Sequence, residues 1–195
     1  MRKQSSVYQS IAIVAKKNAL EAETLRRMPE ENVKAIRESG LMPLLRPREF
    51  GGFEADWITH IDCCAEVARS AARQAGACLF CFNISFTSDI SPSRLSRRFT
   101  TSIPIQTSRR RSVPIGKIKR VSGGFEVSGR WVFASGVDHC DWAIVGGKVG
   151  IGGKVGVGNF LLSPGQFTVD RVWNSAGLKG SGSNDYRRQG PSLCP

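Results

Sequence analysis

Up to residue 85 the apolar residues of this chain recur at helical spacing, and from Pro114 they alternate one by one with polar residues. A chain that changes period in this way can be neither one uniform helical bundle nor one all-β sandwich. ALEAETLRR is made of strong helix formers. In MPEENVKAIRESG, Pro29 suits a first turn, Glu30 and Glu31 suit the positive end of a helix, and Gly40 suits the stop after Val33 and Ile36. LMPLLRPREFGGFEADW, with its prolines and the Gly51-Gly52 pair, is a loop. ITHIDCCAEVARSAAR is helical again, and Ile58, Ile61, Ala65 and Ala68 are predicted as its packing face. IGKIKRVSGGFEVSGRWVFASG then reads as a hairpin turning at Gly-Gly. DWAIVGGKVG, NFLLSP and FTVDRVW read as further short strands. GGKVGIGGKVGVG reads as a flexible connector between strands. Helices before strands predict an α+β chain, an N-terminal helical domain feeding a β domain.

The 195 residues suffice for one large domain or two small ones. No run of about 18 apolar residues occurs, so no transmembrane helix and no membrane partner are expected. The opening MRKQSSVYQSIAIVAKK lacks the long apolar core and the cleavage site of a signal peptide. Cys63, Cys64, Cys78, Cys81, Cys140 and Cys194 give one lone CxxC, and His60 and His139 are the only histidines. That set predicts no metal site and fits reduced thiols in a cytoplasmic protein. A net charge of +12 raises nucleic acid as a partner. Six of the arginines, however, crowd one stretch with no helical or strand period. They are Arg94, Arg97, Arg98, Arg109, Arg110 and Arg111, set against Asp89 alone.

Four stretches in order carry a resemblance to a known family. They are LRRMPEENVKAIRESGLMPLLRPREFGGFEAD, PIGKIKRVSGGFEVSGRWVFASGVDHCDWAIVGG, NFLLSP and WNSAGLKGSGSND. The chain resembles the first half of the acyl-CoA dehydrogenase superfamily. The SGRW-F-SG-xxH-xxW form is closest to its flavin-dependent aromatic hydroxylases, the oxygenase components of two-component monooxygenases. The resemblance implies a β-barrel or sandwich of acyl-CoA dehydrogenase type after the helical domain. It also implies hydroxylation of a phenol- or indole-like ring with O2, using reduced FMN or FAD from a partner flavin reductase. A homo-oligomer is implied for the full-length parent. The rival readings are an acyl-CoA dehydrogenase-like oxidoreductase and a non-enzymatic basic nucleic-acid-binding protein. The first needs a catalytic carboxylate that the family places in its later half.

Within GRWVFASG, Trp131, Phe133 and Ser135 alternate, so a strand would set them on one face. Flat aromatic rings there could pack on a flavin, and a hydroxyl could bond its edge. A strand burying three residues in a core has the same pattern. The resemblance implies that Ser135 lies near the flavin N5, with Phe133 beside it, and that Trp131 also contacts the cofactor. It further implies that the turn of Gly180, Ser181 and Gly182 lies near the flavin. Backbone N–H groups there could hold ring oxygens or a phosphate, though a plain loop reads equally well. His139 is the candidate catalytic group, able to polarise a phenol, against the simpler reading of a loop histidine bonded to backbone.

Two stretches depart from the family. A permitted back-translation of Phe99 to Ser112, read in another frame, gives YDEHPDTNLAAAL, which is similar to the family's turn into the β domain. Deleting one base in the last stretch gives DIVVKGPPFAP, similar to the family's next strand. The expected organisation is therefore a helical domain over 1–85, an atypical and frame-shifted segment over 86–112, a β domain over 113–185 and a frame-shifted tail over 186–195. The family's C-terminal helical bundle is expected to be missing. Discounting the shifted arginines removes more than half of the net charge, so no nucleic-acid partner is expected.

Overall fold

The computed structural model describes residues 2–45, 47–70, 105–107, 116–151, 154–188 and 193–194. These fall into two compact units. One holds the described residues up to 70 together with 174–182, and the other holds 105–173 and 183–194. The sequence reading had placed 174–182 inside the β domain. Of the Arg-rich segment 86–112, only 105–107 are described, and Cys78 and Cys81 lie outside the described residues.

The first unit contains α1 (Arg2–Lys17), α2 (Ala19–Leu25), α3 (Glu30–Glu38) and α4 (Trp57–Ser70). Helix α1 packs on α3 and α4 through a core that includes Ile11, Ala15, Val33, Ile36 and Val67. Buried Asn18, between α1 and α2, donates to Asn32 Oδ1 at 2.7 Å and Glu31 Oε2 at 2.8 Å, tying the first turns of α3 to the α1–α2 junction. Gly40 follows α3 at φ +77°, the left-handed stop expected of it. Arg26 ends α2 in the same region and its guanidinium bonds Asn174. A 3-10 turn at Lys179–Ser181 packs on α2, which holds 174–182 in this unit.

The packing face of α4 differs from the one expected. Ile58 and Ile61 are exposed, while His60, Cys63, Cys64 and Val67 are buried. Both stripes have helical spacing, so the period is right and its phase is wrong. His60 Nε2 lies 3.6 Å from Cys64 Sγ. Burial lowers the His60 pKa, and burial, helped by the neighbouring Cys63, pushes the Cys64 thiol up to about 11.

The second unit is a mixed sheet. Its strands are β1 (Ile105–Thr107), β2 (Gly116–Val121), β3 (Gly124–Ala134), β4 (Trp142–Ile151), β5 (Lys154–Leu162), β6 (Thr168–Asp170), β7 (Asn184–Arg188) and β8 (Leu193–Cys194). The path runs β1-β4-β2-β3-β7-β6, with β5 on β4 and β8 on β3. Strands β1 and β2 are parallel to β4 and the other pairs are antiparallel. The expected β2–β3 hairpin forms, but it turns at Ser122-Gly123 with Val121 facing Gly124, one residue before the Gly-Gly pair. Among the described residues no pairing closes β6 back onto β1. Strand β3 takes part both in the pairings with β2 and β8 and in those with β7, which continues to β6. The glycine-rich repeat is also not a loose connector. Strands β4 and β5 pair from Ala143↔Leu162 to Ile151↔Lys154, because valines alternating with glycines keep the strand period.

The core of this unit is Val127, Trp131, Ala134, Val137, Ala143, Val145, Leu162 and Tyr186. Close packing explains two glycines of this unit. A Cβ on Gly116 would lie 2.9 Å from both the Trp131 ring and the Gly146 carbonyl oxygen, and one on Gly147 would strike Ile118. Strands β2 and β4 thus approach closely, with the indole in the space that Gly116 leaves and Ile118 in that of Gly147. Among the described residues no helix is long and apolar enough to cross a membrane, and no group of three metal-ligating side chains occurs.

Candidate functional site

The end of β3 is irregular. Trp131 faces Tyr186 and Ala134 faces Asn184, so Val132 and Phe133 together oppose the single residue Asp185. This is a β-bulge, and Phe133 adopts φ +58° within it. A bulky residue in the left-handed region is strained and persists only where its surroundings hold it. The bulge breaks the alternation on which the sequence reading relied. Trp131 is 1% exposed, stacked on Tyr186 with ring centroids 5.5 Å apart, and its Nε1–H donates to Gly146 O at 3.0 Å. Phe133 is 58% exposed. The two rings therefore do not share a face. Trp131 is a core residue, and Phe133 is the ring of this strand that faces outward.

Phe133 meets Trp173 edge to face, with centroids 6.4 Å apart and planes at 87°. Ser135, just past the bulge, shares a hydrogen bond with Ser183 at 2.9 Å between hydroxyl oxygens. An exposed aromatic corner and a hydroxyl pair thus lie within one turn of chain. Two buried residues of β7 support them. Asp185 accepts the Phe133 N–H at 3.3 Å and binds Arg130 through its other oxygen, at 2.9 Å from Nε and 2.7 Å from Nη2. Asn184 accepts the Trp173 N–H at 2.9 Å and donates to Asp138 at 2.7 Å. Arg171 binds the other oxygen of Asp138 at 3.3 Å. A shallow hollow of about 670 Å³ is lined by Arg130, Val169, Asp170, Arg171, Val172 and Arg187. Each of its arginines already faces a carboxylate, Arg187 meeting Asp170 at 2.9 Å, so the hollow carries little net charge.

His139 lies in a 3-10 turn, Val137–His139, whose end is closed by its own N–H donating to Gly136 O at 3.1 Å. The residue is 7% exposed, so the histidine expected on a loop is inside the unit. Gly180, Ser181 and Gly182 belong to the helical unit. All three are buried, and the N–H groups of Ser181 and Gly182 donate to Leu178 O at 3.0 Å and Lys179 O at 3.4 Å. Those two donors are used within the turn.

Sequence reasoning missed Trp173, Asn184, Asp185 and Arg130 as members of this corner. Asn184 and Asp185 stood inside the quoted stretch WNSAGLKGSGSND. Two polar residues opening a strand whose next member, Tyr186, is fully buried were the available signal.

The surface offered by Phe133 and Trp173 suits a flat heteroaromatic ring with apolar faces, and the Ser135–Ser183 pair suits its polar edge. No family model matches the chain. It is 31% identical over 179 residues to the flavin-dependent monooxygenase oxygenase subunit HsaA of Rhodococcus jostii (strain RHA1), across 87% of this chain and 44% of that protein. It is also 31% identical over 176 residues to the oxygenase component of p-hydroxyphenylacetate 3-hydroxylase from Acinetobacter baumannii, across 86% of this chain and 40% of the other. The crystal structure of 3-HSA hydroxylase from Rhodococcus sp. RHA1 superposes with TM-score 0.83 at 28% identity, covering 97% of this chain and 50% of that one. XiaF from Streptomyces sp., solved in complex with FADH2 and glycerol, shares the fold with TM-score 0.88 at 22% identity, covering 100% of this chain and 49% of that one. The chain thus spans about half the length of these proteins or less.

Proposed function

We propose that this chain, a relative of the oxygenase components of flavin-dependent monooxygenases, takes part in hydroxylating a phenol- or indole-like ring with O2 and reduced FMN or FAD from a partner reductase. The observation that carries the reading is Phe133, a strained and exposed aromatic ring held at a β-bulge beside Trp173. Strain of this kind gathers at ligand sites. The flavin, when bound, supplies the oxygen chemistry, and the protein supplies binding, orientation and exclusion of water. Phe133 and Trp173 would form an apolar wall for the ring system, and the Ser135 hydroxyl, now shared with Ser183, would bond its edge. The buried His139 remains the candidate proton-handling group, because an imidazole away from bulk water exchanges protons only with the groups beside it. A cytoplasmic setting, expected from the cysteine usage of the sequence, belongs to the same reading. The named relatives favour this hydroxylase reading over the acyl-CoA dehydrogenase and nucleic-acid readings.

The test is anaerobic titration of the chain with reduced FMN and reduced FAD. Binding of one of them in the micromolar range, weakened about tenfold in Phe133→Ala by loss of the aromatic contact, is the expected result. Equal affinity of parent and variant would overturn the assignment of the corner.

A further inference from the structure

We propose that Asn184 and Asp185 are positioning residues that together set the Phe133–Trp173 aromatic corner, each gripping the backbone of one ring. The inference rests on the flavin reading only for what the corner faces.

The argument begins with the bulge. Asp185 stands alone opposite Val132 and Phe133, so the regular ladder offers the Phe133 N–H no carbonyl partner. A backbone donor left without an acceptor away from water is costly. The Asp185 carboxylate supplies the acceptor at 3.3 Å. Its side chain is 9% exposed and its second oxygen is fixed by Arg130, so the acceptor is held in place. Asn184 repeats the device one residue earlier. Its Oδ1 accepts the Trp173 N–H at 2.9 Å, and its Nδ2 is anchored on Asp138 at 2.7 Å. Asp138 is held in turn by Arg171. Successive residues of a strand point to opposite sides, so two neighbours of β7 can reach two separate segments, the end of β3 and the chain after β6. The edge-to-face meeting of Phe133 and Trp173 is then a consequence of β7, and neither aromatic needs a local sequence preference for its place.

The experiment uses the full chain labelled with 15N-tryptophan, the Trp173 indole signal being assigned by its loss in Trp173→Phe. Asn184→Ala and Asp185→Ala should each shift that signal, because the ring contact changes. Asp185→Asn keeps an oxygen for the Phe133 N–H and should restore the parental position. Reduced-flavin affinity is measured in parallel. It should fall about tenfold in each alanine variant, the equivalent of one lost hydrogen bond, and recover in Asp185→Asn. An unmoved Trp173 signal in both alanine variants would overturn the proposal, and so would failure of Asp185→Asn to rescue. Should one alanine variant not fold, the other decides alone. A shifted signal with flavin affinity unchanged, in these variants and in Phe133→Ala alike, supports the positioning role and sinks the flavin reading instead.

Discussion

At Phe133 the backbone and the ring can be separated by substitution. Its φ of +58° disfavours any Cβ, whereas glycine adopts it freely. In an ordinary strand, glycine is less stable than alanine by about 0.5–1 kcal/mol. Here the order should invert, with Phe133→Gly more stable than Phe133→Ala by about 1 kcal/mol in urea unfolding. The ordinary order would show that the bulge is not strained. Arg188 poses the opposite case, a guanidinium 3% exposed within β7. Removing one partner of a buried charge interaction costs about 3–5 kcal/mol. Arg188→Val should therefore lower the melting temperature, and a rise would show that the arginine is out of place. Valine is also what the shifted frame places at this position, so a rise would support the proposal that the tail is read out of frame. At this scale the sequence was legible for the strand that carries Trp131 and Phe133 and not for the separation of the two rings, which only the bulge creates.

Elements were read better than residues, and the exceptions have physical reasons. Helices α2, α3 and α4 lie where helix formers, apolar spacing and stop signals placed helix, since those signals are local. The phase of α4 was missed because its sequence carries two apolar stripes and the buried one includes a histidine. That buried stripe makes stability depend on pH. Cys64 has its folded pKa raised from 9.0 to about 11, so its contribution is fully present below pH 9 and is lost as pH rises toward 11. His60 has its folded pKa lowered from 6.5 by burial, so stability falls as pH drops below 6.5. Urea midpoints should show a plateau between the two limits, and Cys64→Ala should flatten the alkaline limb alone. A neutral and buried thiol should also resist iodoacetamide at pH 8 until the protein is unfolded. In the sheet, Gly116→Ala should destabilise by about 1–3 kcal/mol, because the added methyl meets both an indole and a carbonyl. The β2–β4 contact behind this cost is parallel and distant in sequence, a relation that residue alternation does not encode.

For the molecule as a whole, the order of helices before strands, and with it a helical and a β unit, was readable from periodicity, whereas the place of 174–182 was not. Residues 174–182 carry turn signals but nothing that assigns them to the helices. The activity proposed for the molecule is tested with reductase, NADH, flavin and a phenol. The expected outcome is oxygen consumption with a hydroxylated product, and no reduction of dye by an acyl-CoA. The reverse pattern would favour the dehydrogenase. The excursion of 174–182 has a separate consequence for how the protein is made. The helical unit is not one uninterrupted stretch of chain. During synthesis it lacks its last piece until residue 182 has left the ribosome, after most of the sheet has been translated. The usual order, in which an N-terminal domain completes before its successor emerges, is therefore closed to this chain. Helices formed early must wait for a late segment, and a fragment stopped after β6 would carry α2 without the turn that packs on it.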